Sequence, residues 1–152
     1  KYDHIISIEM IEAVGEKYLS SYFKSIKNNL ITGGSAAIQS IVINDNLYDQ
    51  YRKKEDFIQK FIFPGGFLPS LKSIKKLSLS SGLVFDGQQL YGEHYSSTLQ
   101  KWRESFLNSW DKISRQGFNP SFKNMWDFYL SYCEAGFNSK NIDLIQFSLT
   151  NK

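Results

Sequence analysis

IISIEMIEAVGEKY, residues 5–18, decides how the chain begins to fold. Ile5, Ile6 and Ile8 mark a short apolar strand over His4–Met10, which runs directly into two carboxylates, Glu9 and Glu12, before Gly15 breaks the chain. From Glu16 to Leu30, the residues Leu19, Tyr22, Phe23, Ile26 and Leu30 recur at helical spacing and predict an amphipathic helix. Thr32-Gly33-Gly34 reads as the stop of that helix, and AAIQSIVI, Ala36–Ile43, as a second buried strand. Strand, helix, turn and strand make a βαβ unit, whose crossover produces a parallel pair. Such sheets bind ligands at the carboxyl ends of their strands, where Glu9 and Glu12 fall. Acidic residues at a helix start also favour its positive end by a few tenths to about 1 kcal/mol, so a solvated helix start stays open beside a site.

Outward from this unit, residues 44–60 (NDNLYDQYRKKEDFIQK) turn polar and predict a covering helix or an insertion. FIFPGGFLPS, residues 61–70, demands a turn at Pro64-Gly65-Gly66 between aromatics that seek burial. Ser70 then caps a helix to about Ser81, and Leu83–Leu90 predicts a third strand. Thr98–Ile113 and Phe122–Phe137 carry aromatic stripes at helical spacing, and IDLIQFSL, Ile142–Leu149, alternates as a final strand. The expectation is one α/β domain over residues 1–152.

The 152 residues, 41% hydrophobic and 22% charged, have a soluble globular balance and can bury a sizeable core. The aromatic share, 16%, suits either core or an apolar pocket. A net charge of +3 without a base-stacking motif or basic stripe argues against nucleic acid as partner. The basic clusters Arg52-Lys53-Lys54 and Lys72, Lys75, Lys76 suit a solvated face or an anionic phospholipid surface. A single cysteine, Cys133, excludes an intrachain disulfide and fits a reducing compartment. His4 and His94 lack partners at metal-ligand spacing, so no metal site is expected. GxSxG, P-loop and GxGxxG motifs are all missing, which leaves serine hydrolases, P-loop NTPases and a self-sufficient dinucleotide site unsupported. No apolar run is long enough to span a bilayer, and the expected location is cytoplasmic, with peripheral contact at the inner membrane face. The chain opens on a strand at Lys1-Tyr2-Asp3 and reads as a piece of something longer.

Taken in order, SIEMIEAVGEKY, AAIQSIVI, FIFPGGFLPS, HYSSTLQKWRESF and FYLSYCEAGFNSKNIDLIQFSL resemble the C-terminal half of the cyclopropane-fatty-acyl-phospholipid synthase and mycolic acid cyclopropane synthase family. The resemblance implies the C-terminal portion of a class I, Rossmann-like methyltransferase sheet, with helices on its faces and an antiparallel last strand. It implies S-adenosylmethionine as methyl donor and a cis double bond in an unsaturated phospholipid acyl chain as nucleophile. A carbocation follows, and a bicarbonate ion in the site takes the proton whose loss closes a cyclopropane or leaves a methylated or methylene product.

Carried over residue by residue, the resemblance gives Glu12 and Tyr95 hydrogen bonds to the bicarbonate and gives Ile41 a backbone contribution. Gln39 stands where well-known members have histidine, a change that keeps a donor and removes a titratable group. Phe63, Leu68, Leu99 and Phe137 match the acyl-chain pocket, and Ser7 and Ile8 are the expected cofactor-side residues. The family's glycine-rich turn and first two strands have no counterpart in these residues, nor has the cysteine of its bicarbonate site; Cys133 stands elsewhere. The expected reading is therefore the C-terminal part of a lipid methyltransferase, inactive alone and self-associating through its first strand. The alternative is a lipid-binding or oligomerising module that reuses the fold without catalysis.

Overall fold

A computed structural model describes residues 1–152, and these divide into two compact units, residues 1–91 with 142–152 and residues 92–141. In the first unit, β1 (Tyr2–Ile8) is followed by 3-10 turns at Ile11–Ala13 and Glu16–Tyr18, then α1 (Leu19–Asn29) and β2 (Leu30–Ile43). After these come α2 (Asp45–Tyr51), α3 (Phe57–Phe61), α4 (Leu71–Ser80) and β3 (Val84–Leu90), and β4 (Ile142–Thr150) closes the chain. The second unit contains α5 (Gly92–Asn108), α6 (Trp110–Ser114) and α7 (Pro120–Asn138).

The sheet order is β1-β2-β4-β3. β1 and β2 run parallel, with Ile8 opposite Gln39, and β4 is antiparallel to both its neighbours. The expected parallel beginning and antiparallel last strand are both present.

Alternation along β2 fixes which face is core. Ala36, Ile38, Ser40 and Val42 point inward and are buried, whereas Ala37, Gln39 and Ile41 lie on the opposite face. Leu19, Tyr22, Phe23 and Ile26 of α1 form one apolar stripe on the inward side, joined by Ile74 of α4 and by Ile145, Phe147 and Leu149 of β4. Within this unit the helices cover one face. On the other, Ile6 and Ile8 are 74% and 65% exposed.

Several boundaries differ from the sequence reading: β1 ends at Ile8 and not Met10, and the helix expected over Thr98–Ile113 begins at Gly92 and breaks after Asn108 into α5 and α6. Thr32-Gly33-Gly34 lies inside β2 and does not stop α1, which passes into the strand directly at Leu30. The glycines serve an irregularity in the ladder, where Tyr2 pairs with Leu30 but His4 pairs with Ser35. Gly33 has a φ of 80°, and a Cβ on Gly34 would meet the Asp3 carbonyl at 2.9 Å, so both positions demand glycine for strand pairing. The polar stretch 44–60 forms two short helices, α2 and α3, in place of one covering helix. Ser70 caps α4 as expected, exchanging hydrogen bonds with Ser73.

In the second unit, α5 and α7 are joined by the Arg103–Asp127 ion pair and by a hydrogen bond from Ser96 to Asn138 at 2.7 Å. Phe122 stacks on Trp126 and meets Phe106 edge-on, so the expected aromatic stripes serve mainly as packing between helices.

Phe23 is fully buried and meets Tyr22 edge-on, so Phe23→Ala should destabilise the first unit by about 3–5 kcal/mol in urea unfolding. Ile6→Ala, on the open face, should stay within about 0.5 kcal/mol of the parent.

Candidate functional site

The turn at Ile11–Ala13 follows the end of β1, and Ile11, fully buried, plugs the core and leaves Glu12 at the sheet's carboxyl end. Glu12 is held from two sides. Its main-chain carbonyl accepts the N–H of Phe67 at 2.8 Å, which joins it to the Pro64-Gly65-Gly66 loop. Its side chain accepts the N–H of Ile41 at 2.5 Å. The β1–β2 ladder ends at Ile8 and Gln39, so on its β1 side Ile41 has no strand residue to accept its N–H, and the Glu12 carboxylate takes that place.

Two further contacts fix the approach of the loop. Gly15 turns the chain with a φ of 78°, and a Cβ there would meet the Gly65 carbonyl at 3.4 Å. Pro69 offers its carbonyl to the Ile43 N–H at 3.0 Å, docking the end of the loop on β2.

The second carboxylate oxygen, Glu12 Oε2, is buried and has no hydrogen-bond partner. Ser40, fully buried beside it, donates its hydroxyl to the Ile41 carbonyl at 2.9 Å. Burial lifts the Glu12 carboxyl above its ordinary value near 4.5; its own backbone N–H, the N–H of Ile41 and the hydroxyl of Ser40 oppose that rise, and the charge of Glu9 adds to it. A buried acceptor with raised proton affinity and an open lone pair can receive a proton or a ligand's hydrogen bond.

Gln39 lies on the outer face of the sheet, donates to Glu9 at 2.8 Å and accepts from Gln146 at 2.8 Å. Ser7 receives the Tyr22 hydroxyl at 2.8 Å on the inner side, and burial raises the pKa of that phenol. Ile8 points outward opposite Gln39. The β1–β2 unit therefore brings Glu12, Gln39 and the Ile41 backbone to one end of the sheet.

The expected acyl-pocket residues divide between the units. Phe63 is 55% exposed beside the glycine turn, and the Leu68 N–H donates to the Tyr51 hydroxyl at 3.1 Å in the same unit. In the second unit Tyr95 packs on Phe137 with ring centroids 4.9 Å apart, and Leu99, buried, follows one turn along α5.

Sequence reasoning missed Ser40, Tyr22 and Gln146. Ser40 left a signal, a hydroxyl at an inward position between Ile38 and Val42, whereas Tyr22 was indistinguishable from an apolar stripe residue.

The family model for mycolic acid cyclopropane synthetase matches residues 1–147. The chain is 39% identical over 98% of its length to a tuberculostearic acid methyltransferase of Mycobacterium tuberculosis, covering 35% of that protein. It is 32% identical over 96% of its length to the cyclopropane-fatty-acyl-phospholipid synthase of Escherichia coli, covering 37% of it. It thus spans roughly a third of the length of these curated relatives. Among solved structures, mycolic acid cyclopropane synthase CmaA1 complexed with SAH and CTAB superposes with a TM-score of 0.86 at 24% identity, over 97% of this chain and 55% of that one, a likeness of fold.

Since burial raises the native Glu12 pKa above its unfolded value, the native state loses stability as pH climbs from about 4.5 through the raised value. Glu12→Gln should therefore stabilise the chain at pH 7, on the order of the 0.5–2 kcal/mol that single stabilising substitutions commonly give. The gain should vanish well below pH 4.5, where Glu12 is protonated in both states; urea unfolding there and at pH 7 measures it.

Proposed function

The chain belongs to the mycolic acid cyclopropane synthetase family, and from that premise we propose that it forms the carboxylate-bearing part of an S-adenosylmethionine-dependent C-methyltransferase acting on a cis double bond of a lipid acyl chain. The observation that carries the reading is the Glu12 carboxylate, anchored by the Ile41 N–H, with its other oxygen buried and unpartnered at the sheet's carboxyl end.

Bound S-adenosylmethionine supplies an electrophilic methyl group. Ser7 and Ile8, at the carboxyl end of β1, are the residues of this chain that would border it, where α/β sheets receive cofactors. Methyl addition to an alkene leaves a cation on the lipid and then requires removal of a proton. Glu12 meets both needs, as a negative charge in a poorly solvated position and as a group of raised proton affinity. The open Glu12 oxygen also suits a small partner that donates a hydrogen, and bicarbonate, with one hydroxyl, fits that description. Gln39 would add a donor that stays neutral at every working pH.

Phe63 and Leu68 of the first unit are proposed acyl-chain contacts, as separately are Leu99 and Phe137 of the second, where Tyr95 offers its hydroxyl as a hydrogen-bonding group. Aromatic faces add about 0.5–2 kcal/mol each where a cation lies over them.

The names of the relatives support a lipid substrate, and unsaturated phospholipid acyl chains are the proposed class. No helix is long and apolar enough to cross a membrane, and we place the protein in the cytoplasm, at the inner membrane face when it meets its substrate. The basic clusters support that contact in part. Lys53 and Lys54 are exposed, while Arg52 pairs with Glu16 and Lys75 lies over the Phe85 ring.

The outer edge of β1 supports self-association as well. It ends the sheet, contains no proline, and presents exposed Ile6 and Ile8.

In the full-length protein given S-adenosylmethionine and vesicles of an unsaturated phospholipid, Glu12→Gln should lower product formation at least 100-fold with the fold retained, as read by gas chromatography of the methyl esters. Tyr95→Phe should lower it about 10- to 100-fold. Unchanged turnover in Glu12→Gln would return the glutamate to the role of a helix-start residue.

This chain should sediment as a dimer or larger assembly at micromolar concentration, and Ile6→Lys should shift it to monomer. A monomeric parent would remove the self-association proposal.

A further inference from the structure

We propose that Glu9 and Gln146 are positioning residues that set the polarity of the Gln39 side-chain amide, so that Gln39 keeps its N–H end toward the carboxyl end of β1. The inference rests on the function proposed above, which gives Gln39 its place beside Glu12.

A glutamine amide has the same outline with nitrogen and oxygen exchanged, so its partners alone decide which end is which. Gln39 Nε2 donates to Glu9 Oε1 at 2.8 Å, and Gln39 Oε1 accepts from Gln146 Nε2 at 2.8 Å. An ionised carboxylate only accepts, so Glu9 admits the NH2 end of Gln39 and no other. That choice turns the Gln39 oxygen toward β4, where Gln146 must offer its own NH2. One charged group, in the turn after β1, thereby orients two amides in succession on β2 and β4.

The ladder supports this row directly. Ile8 stands opposite Gln39, and Gln39 stands opposite Gln146, so the side chains share a face at the closest cross-strand spacing. The Glu9 backbone supplies a second, independent observation. Its φ of 49° lies in the left-handed region, where glycine is the easier residue, and its N–H is tied to the Gln39 carbonyl at 2.9 Å. This turn immediately after β1 carries the Glu9 carboxylate back to Gln39, and the sequence keeps a carboxylate where conformation alone favours glycine. The NH2 group has two hydrogens, and Glu9 takes one of them. The polarity of the row thus decides whether Gln39 brings a donor or an acceptor toward the Glu12 end of the sheet.

The test compares Glu9→Gln, which keeps length but accepts either amide polarity, with Glu9→Asp, which remains acceptor-only. In protein labelled with 15N-glutamine, the Gln39 side-chain amide should give one well-dispersed pair of proton signals. Glu9→Gln should shift, broaden or double that pair, and Glu9→Asp should stay nearer the parent. Gln146→Met, which removes the partner from the other end, should disturb the same pair. In turnover of the full-length protein on unsaturated phospholipid vesicles, Glu9→Gln should lower kcat about 3- to 10-fold with KM nearly unchanged, and Glu9→Asp should recover part of the loss.

Gln39 signals untouched by Glu9→Gln, or no nearer the parent in Glu9→Asp, would overturn the proposal. Disturbed signals with kcat unchanged would also overturn the positioning role. A full-length parent without any turnover would fail the proposed function, and with it the positioning role in catalysis, while the amide signals would still decide whether Glu9 orients the row.

Discussion

The geometry of the site depends on a pair of bonds made by one residue. The Glu12 carbonyl holds the Phe67 N–H, and the Glu12 carboxylate holds the Ile41 N–H, so one turn ties the FPGG loop to the middle of the sheet. Ile11, driven into the core by its own side chain, fixes that turn from below. Hydrophobic burial thus sets the position, and charge-assisted hydrogen bonding sets the direction of the carboxylate. Without the Ile41 contact, a strand N–H past the end of β1 would lack a partner.

The same arrangement leaves a buried oxygen unpaired, which a purely structural design would avoid. A folded chain gains nothing from raising the proton affinity of its own carboxylate, because the native state then loses stability at neutral pH. Such a loss is tolerated where a site needs it. A solvated glutamate at a helix start would have water at both oxygens and no reason for burial. The half-satisfied state of Glu12 is the feature on which the proposed site rests.

Much of this was legible in the sequence for local reasons. The stripe Leu19, Tyr22, Phe23, Ile26 and the alternation of AAIQSIVI each encode a periodicity that survives folding intact. Glu12 stood out because a strand that reads as buried runs into carboxylates, while its proposed role came from the family resemblance. Gly33 and Gly34 were misread because their function lies in pairing with residues more than 25 positions away, Tyr2–His4, and a glycine pair after a helix looks the same in either role. The link between Gln39 and Gln146 was out of reach for the same reason, since 107 residues separate them and only the position of β4 in the sheet brings them together. Contacts made by register are invisible to a periodicity.

A site-resolved titration of Glu12 tests this account most directly. Following the side-chain carboxyl carbon of Glu12 by 13C NMR across the acid range, with Glu12→Gln to assign the signal, gives its native pKa. The midpoint should lie above the ordinary value near 4.5. A midpoint at or below that value would mean a carboxylate stabilised in its charged form, which would contradict the reading of Glu12 as a proton-accepting site residue.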